Sequence, residues 1–283
     1  MPKSLAALWV SPDYGLVSGG NNRLDHVVVA VAVELLVALA RLARWGRRET
    51  RLFTAALLTI GVAYALTIPW LGDRRLDRWL SQAAGENVSD IGHTVLVAVG
   101  CGLLSLVCVG GLAVDDNGGE SNWYRPARWV VISLTALIVL AVLVLSWIGD
   151  VSRVPVGDVL ALSDGGSRGV SVMFLVSVAA TAVALISVFM VAVQGSGPRR
   201  MVAFSALAVV GVLGLVYVAL IGGGLILDPA GVVDLHRVVE PWAAGSALVA
   251  LAVAGVWSSW TYRPGWWPWG RERLPHKRPT VQQ

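Results

Sequence analysis

Of the four histidines in this 283-residue chain, three (His26, His93 and His236) stand next to or near carboxylates. Asp90-x-x-His93 and His236-x-x-x-Glu240 each put two such groups on one face if the segment is helical. Imidazole with carboxylate suits zinc or another divalent metal. Imidazoles at a water boundary also suit pH sensing. Neither spacing is an established metal signature such as His-Glu-x-x-His, and ordinary polar residues at a membrane surface would look the same. Glu34 is a different kind of candidate. It interrupts residues 26–42, which are otherwise uncharged up to Arg41. A carboxyl midway along an apolar helix costs a few kcal/mol to insert into a bilayer, so it must face other helices and find a partner or be neutral. The chemistry open to it is a proton or cation site, or a contact for a polar substrate. The plainer alternative is a hydrogen-bonded tether between helices. Its expected partner is a hydroxyl: Thr54, Thr59, Tyr64, Ser105, Thr135, Ser177, Thr181 or Tyr217.

The elements that carry these residues follow from composition. The chain is 56% hydrophobic and 14% charged, against about 25% charged residues in a soluble domain. The charges cluster, with long uncharged runs between them. A membrane span needs about 20 mainly apolar residues. Runs of that kind cover 52–72, 94–114, 129–149, 169–193, 201–227 and 241–262, and 26–42 is counted as the first span. The expectation is an all-α polytopic membrane protein with seven transmembrane helices. It has an extracytoplasmic segment over 1–25, a helical domain over 26–262 and a cytoplasmic Trp/Pro/Arg-rich tail over 263–283.

Orientation follows from Lys and Arg in the short loops. Fourteen fall on the side that holds Arg41, Arg44, Arg47, Arg48 and Arg51, and eight fall on the other. The richer side is expected to be cytoplasmic, with the N-terminus outside. His26, His93 and His236 then share one outer depth, because all three open odd-numbered helices. Trp45, Trp70, Trp129, Trp147, Trp242, Trp257 and Trp260 fall near expected interfaces, where amphipathic rings prefer to lie. The outer loop over 73–92 has Arg74, Leu76, Trp79 and Leu80 at helical spacing and reads as a short surface helix.

Several function classes lose ground. The net charge of +4 comes from membrane-flanking arginines without an aromatic–basic groove, so nucleic acid is not an expected partner. The expected partners are the lipid bilayer and a membrane protein or second copy. Both lysines lie outside the spans, which removes a retinal Schiff base. No phosphate-binding glycine loop or nucleophile elbow occurs, and no cofactor beyond a divalent metal is suggested. Cys101 and Cys108, about 10 Å apart along one helix face, are too distant for a disulfide and read as packing residues. Gly100, Gly102, Gly110, Gly111, Gly211, Gly214 and Gly222 to Gly224 would permit close helix approach.

Residues 41–109 combine an Arg-rich first inner loop, a Thr-containing second helix, an amphipathic outer loop and Asn87-x-x-Asp90-x-x-His93. That stretch resembles the front part of a family of actinobacterial multi-helix integral membrane proteins labelled as transporters. The Arg-over-Lys bias and the richness in Ala, Val and Gly agree with such a high-GC host. The resemblance implies a multi-pass plasma-membrane protein with a transport role and supplies no catalytic residues. The leading expectation is a small transporter or channel-like protein using Glu34. The alternatives are a non-catalytic sensor or interaction subunit of an envelope complex, and a metal-dependent membrane enzyme.

Overall fold

The computed structural model describes residues 21–42, 48–68, 71–77, 79, 87–112, 121–152, 164–195, 198–229 and 231–260. The N-terminal segment up to residue 20, the tail over 263–283, Trp45, Trp70 and, of the expected surface helix, Leu80 lie outside them. Seven long helices run through the described residues: α1 (Asn21–Leu42), α2 (Arg48–Leu66), α3 (Val88–Leu112), α4 (Tyr124–Ile148), α5 (Gly165–Gly195), α6 (Pro198–Leu227) and α7 (Val232–Trp260). No strand occurs among the described residues. Helices α3 to α7 are each long and apolar enough to cross a membrane, and α2 holds a shorter apolar stretch, Arg51–Leu66.

Six helices close a ring in the order α1, α2, α3, α5, α6, α7, with α7 back against α1. Helix α4 packs outside it, against α3 and α5. The arrangement turns polar groups inward and apolar ones outward, as a lipid solvent requires. On α1 the buried face holds Glu34 and Arg41, while Val29, Val33, Leu36 and Leu39 are exposed. On α4 the exposed residues include Leu134, Leu137, Leu140 and Leu143, with Trp129 and Trp147 exposed near its two ends. Helices α1 and α7 run side by side in the same direction. His26 lies against Trp242 near their starts, and Arg41 reaches Gly255 near their ends. Between these two contacts α1 runs alongside α7.

Odd-numbered helices begin at one end of the bundle, called here the histidine end. Three ties fix the starts of α3 and α5. The Asn87 side-chain amide donates to the Val151 carbonyl at 2.7 Å, joining the entry of α3 to the exit of α4. Asn87 itself has φ 53°, a left-handed conformation that Asn tolerates better than most residues. The Asp77 carboxylate accepts from the Ser89 amide and hydroxyl, both at 2.7 Å, which caps the first turn of α3. Asp164 does the same for α5 by accepting from the Gly166 and Ser167 amides and the Ser167 hydroxyl. The Ser167 hydroxyl, followed by backbone amide donors, holds the Asp164 carboxyl below its usual range.

The boundaries differ from those read off the sequence. Helix α7 starts at Val232 rather than at 241, α3 at Val88 rather than 94, and α2 ends at Leu66 rather than 72. Uncharged runs mark where the bilayer solvates a helix, whereas the hydrogen-bond ladder continues through polar turns. Pro241 sits inside α7. It withholds one N–H from the ladder, only a few turns from the helix start. The loop read as a surface helix contains a π-helical turn over Gly72–Asp77.

Some of the glycines do bring helices together. A Cβ on Gly211 would sit 2.8 Å from the Ala182 carbonyl oxygen of α5, which is backbone and cannot swing away. Gly102 is similarly closed by Thr135, and Gly100 by Ile60. Gly110 and Gly223 face open space, so no close approach depends on them. Gly211→Ala is therefore expected to force α5 and α6 apart and destabilise the protein by about 1–3 kcal/mol. Gly110→Ala should leave the thermal unfolding midpoint of the detergent-solubilised protein unlowered. Equal behaviour of the two variants would contradict this packing.

Candidate functional site

At the histidine end, aromatic rings form a row across the bundle. His93 on α3 is 8% exposed, and its Nδ1 lies 3.0 Å from the Ala63 carbonyl of α2. Its ring meets Tyr64 edge-on at 4.9 Å and Phe174 of α5 at 5.8 Å. Phe174 contacts Tyr217 of α6 at 6.1 Å, and Tyr217 contacts His236 of α7 at 6.1 Å. His236 Nε2 ends the row 3.4 Å from Glu240 Oε2. Five helices thus meet through ring contacts, each within the 4.5–7 Å range typical of such pairs.

Beneath this row lies a cavity of about 90 Å³ between α2, α3, α5, α6 and α7. Tyr64, Phe174, Tyr217 and Glu240 line it together with aliphatic side chains such as Val178, Leu185 and Leu248. Further along α3 and α5 it reaches Thr181 and Cys101, where the Thr181 hydroxyl donates to the Cys101 carbonyl at 3.1 Å. Cys101 and Cys108 are both buried free thiols.

The histidine–carboxylate group read from the sequence is only partly assembled. His236 and Glu240 do share a face and pair. His93 and His236 stand in one row with Phe174 and Tyr217 between them. His26 is exposed and lies against Trp242 at 5.7 Å. Asp90 is half-buried in the first turn of α3. Among the described residues no three His, Cys, Asp or Glu groups converge as metal ligands. Glu240 was expected at the mouth of the last span. It lies instead about two turns inside α7, on the cavity wall, because that helix begins earlier.

Glu34 is fully buried. It packs near α2, where Gly61 leaves room beside its Cγ. Neither carboxyl oxygen has a hydrogen-bond partner among the described residues. The expected hydroxyl partner is therefore corrected. Thr54 accepts from Arg41, and Thr59, Thr135 and Ser177 each donate to a carbonyl one turn back in their own helix. Ser105 pairs with Thr181. In a helix a hydroxyl finds the i−4 carbonyl at short range, so a distant carboxyl competes poorly for it.

Arg41 was read as the basic end of the first span, and the structure buries it at 3% exposure. Its Nη1 lies 2.7 Å from the Gly255 carbonyl and from the Ser258 and Ser259 hydroxyls of α7. Two protons serve three oxygens, so they are shared. Nε donates to Thr54 of α2 at 3.2 Å, and the guanidinium carbon stands 5.1 Å from the Phe53 ring centre, within cation–π range. The signal that could have located it is its spacing from Glu34. Seven residues along a helix is about two turns on the same face.

No protein-family model, curated protein or solved structure matches the chain.

Arg41→Met is expected to lose about 1–3 kcal/mol of stability, the range for hydrogen bonds to a charged group and for the partners left behind. Arg41→Lys should recover only part of it, because an ammonium cannot span Thr54 and the Ser258–Ser259 pair as a planar fork does. Melting of the purified variants and amide exchange along α1 measure this, and an unchanged melting point for Arg41→Met would refute the bridging role.

Proposed function

We propose that this multi-pass membrane protein is a small proton-coupled transporter, with Glu34 as the proton-carrying group and the interhelical cavity as the solute site. The observation that carries the reading is Glu34: a fully buried carboxyl with no hydrogen-bond partner among the described residues. An ionisable residue inside a membrane bundle is costly, and this one offsets none of that cost by bonding helices together. A group whose value lies in gaining and losing a proton fits that environment.

The cavity gives such a proton something to be exchanged for. Small residues create it: Ala243, Ala244 and Ala247 on α7 and Gly214 on α6 leave space where larger side chains would close the bundle. Tyr64 and Glu240 line the same cavity, and Glu34 lies beside Gly61, about one turn of α2 from Tyr64. In the orientation expected from the arginine distribution, the aromatic row is at the outer end and Arg41 at the cytoplasmic end.

The test uses proteoliposomes loaded with a pH-sensitive dye and challenged with a panel of small organic cations, anions and neutral solutes. At least one solute is expected to drive a lumenal pH change through the wild type. Glu34→Gln should reduce that signal at least about tenfold, as loss of a positioned proton-transfer group does, while its melting point stays within a few degrees of wild type. Undiminished coupling by the variant, or no solute-driven proton movement in the wild type, refutes the reading.

A further inference from the structure

The identity of the group that the cavity would hold can be read from its walls, taking that cavity as the solute site proposed above. We propose that it takes a compact organic cation, an alkylammonium whose charge lies against Glu240 and whose carbon chain follows the apolar wall. Three features of the lining agree. Glu240 is the sole Asp, Glu, Lys or Arg among the described lining residues. Tyr64, Phe174 and Tyr217 place aromatic rings on the same cavity, and a desolvated cation against aromatic faces is stabilised by their quadrupoles. The remaining wall is aliphatic, so it favours methyl and methylene groups over a hydrated metal ion.

Other ligand charges fit less well. An anion would meet a carboxylate with no basic residue on the wall to balance it. A neutral solute would gain at most a hydrogen bond from Glu240, without the charge pairing. The volume of about 90 Å³ exceeds the roughly 10–15 Å³ that admits one water, so the space accepts a small molecule rather than a lone solvent molecule. His236 Nε2, 3.4 Å from Glu240 Oε2, is the group that such a cation displaces. The other base on this stretch of α7, Arg237, is directed to Asp234 at 3.5 Å near the surface.

The full chain, purified in detergent, is titrated by calorimetry with n-butylammonium and with its neutral analogue 1-butanol. The wild type is expected to bind the cation at least about tenfold more tightly, the size of one charge-assisted interaction. Glu240→Gln should abolish that preference, and His236→Ala should strengthen cation binding by removing the competing base. Equal affinity for the two probes in the wild type overturns the proposal, and so does a folded Glu240→Gln protein that keeps the preference. If Glu240→Gln does not fold, weaker cation binding by His236→Ala overturns it instead. Because binding is read at equilibrium without a gradient, tight butylammonium binding in a protein that moves no protons supports the cation site while refuting transport.

Discussion

The Arg41 guanidinium joins the first helix to the last, and the ring of helices closes around that contact. In a bilayer the helices gain little by hiding apolar surface from one another, since lipid is equally apolar; packing and hydrogen bonds decide which of them touch. Arg41 supplies both. It draws on a hydroxyl of α2 and on a carbonyl and two hydroxyls of α7. It does so where Gly255 lets Val37 and Leu57 approach the α7 backbone. The Ser258 and Ser259 hydroxyls donate to Gly255 and accept from Arg41, so the small network leaves neither hydroxyl idle. With α1 held in the ring, the face that carries Arg41 also carries Glu34 inward, two turns away.

The two ends of the bundle are held by different means. At the arginine end the charge of an α1 side chain is distributed over oxygens from two helices, α2 and α7. At the histidine end five helices meet through ring contacts that are mostly edge-on, with polar contacts at the margins: His93 to the Ala63 carbonyl, and His236 to Glu240. Rings are bulky and stiff, so they set a spacing between α2, α3, α5, α6 and α7 that the alanines below cannot fill. The cavity is the consequence: wide aromatic separators above, small residues on α6 and α7 beneath. Helix α4 takes no part in its lining. It adds apolar surface outside α3 and α5 and is the most lipid-exposed of the spans.

Six of the seven helices are legible in the sequence because charge is excluded from spans so strongly that its absence over about 20 residues is nearly sufficient evidence; α1 carries Glu34 and reads as a span because an arginine cluster closes it. Helix ends were less legible. Glu240 and His236 read as residues before the last span because charge was taken to end a helix, yet α7 carries both within it. The shared depth of His93 and His236 followed from alternating topology. Their separation by Phe174 and Tyr217 did not, since no local pattern links four residues spread over four helices. Glycines were recognised as a class, but Gly211 and Gly110 look identical in sequence and differ only in what faces them. Arg41 was misread for a related reason: one arginine at the edge of a basic cluster carries no mark of being buried until Ser258, Ser259 and Thr54 are known to meet there.

Arg41 and Glu34 are the two buried charge-capable residues of α1, and their surroundings separate their roles. Arg41 has acceptors on two other helices, and removing it would leave several of them without a donor. Its burial is accounted for by what it holds together. Glu34 occupies an equally inaccessible place, and neither of its oxygens is bonded to the described structure. Helix α1 would gain stability from an apolar residue of similar size there, because burying a polar group without a partner is unfavourable. The proposed transport role accounts for a carboxyl that the described structure leaves unbonded: it would carry a proton. Under the proposed reading, Glu34 beside α2 and Glu240 on the cavity wall are the two carboxyls that a proton and a solute would use.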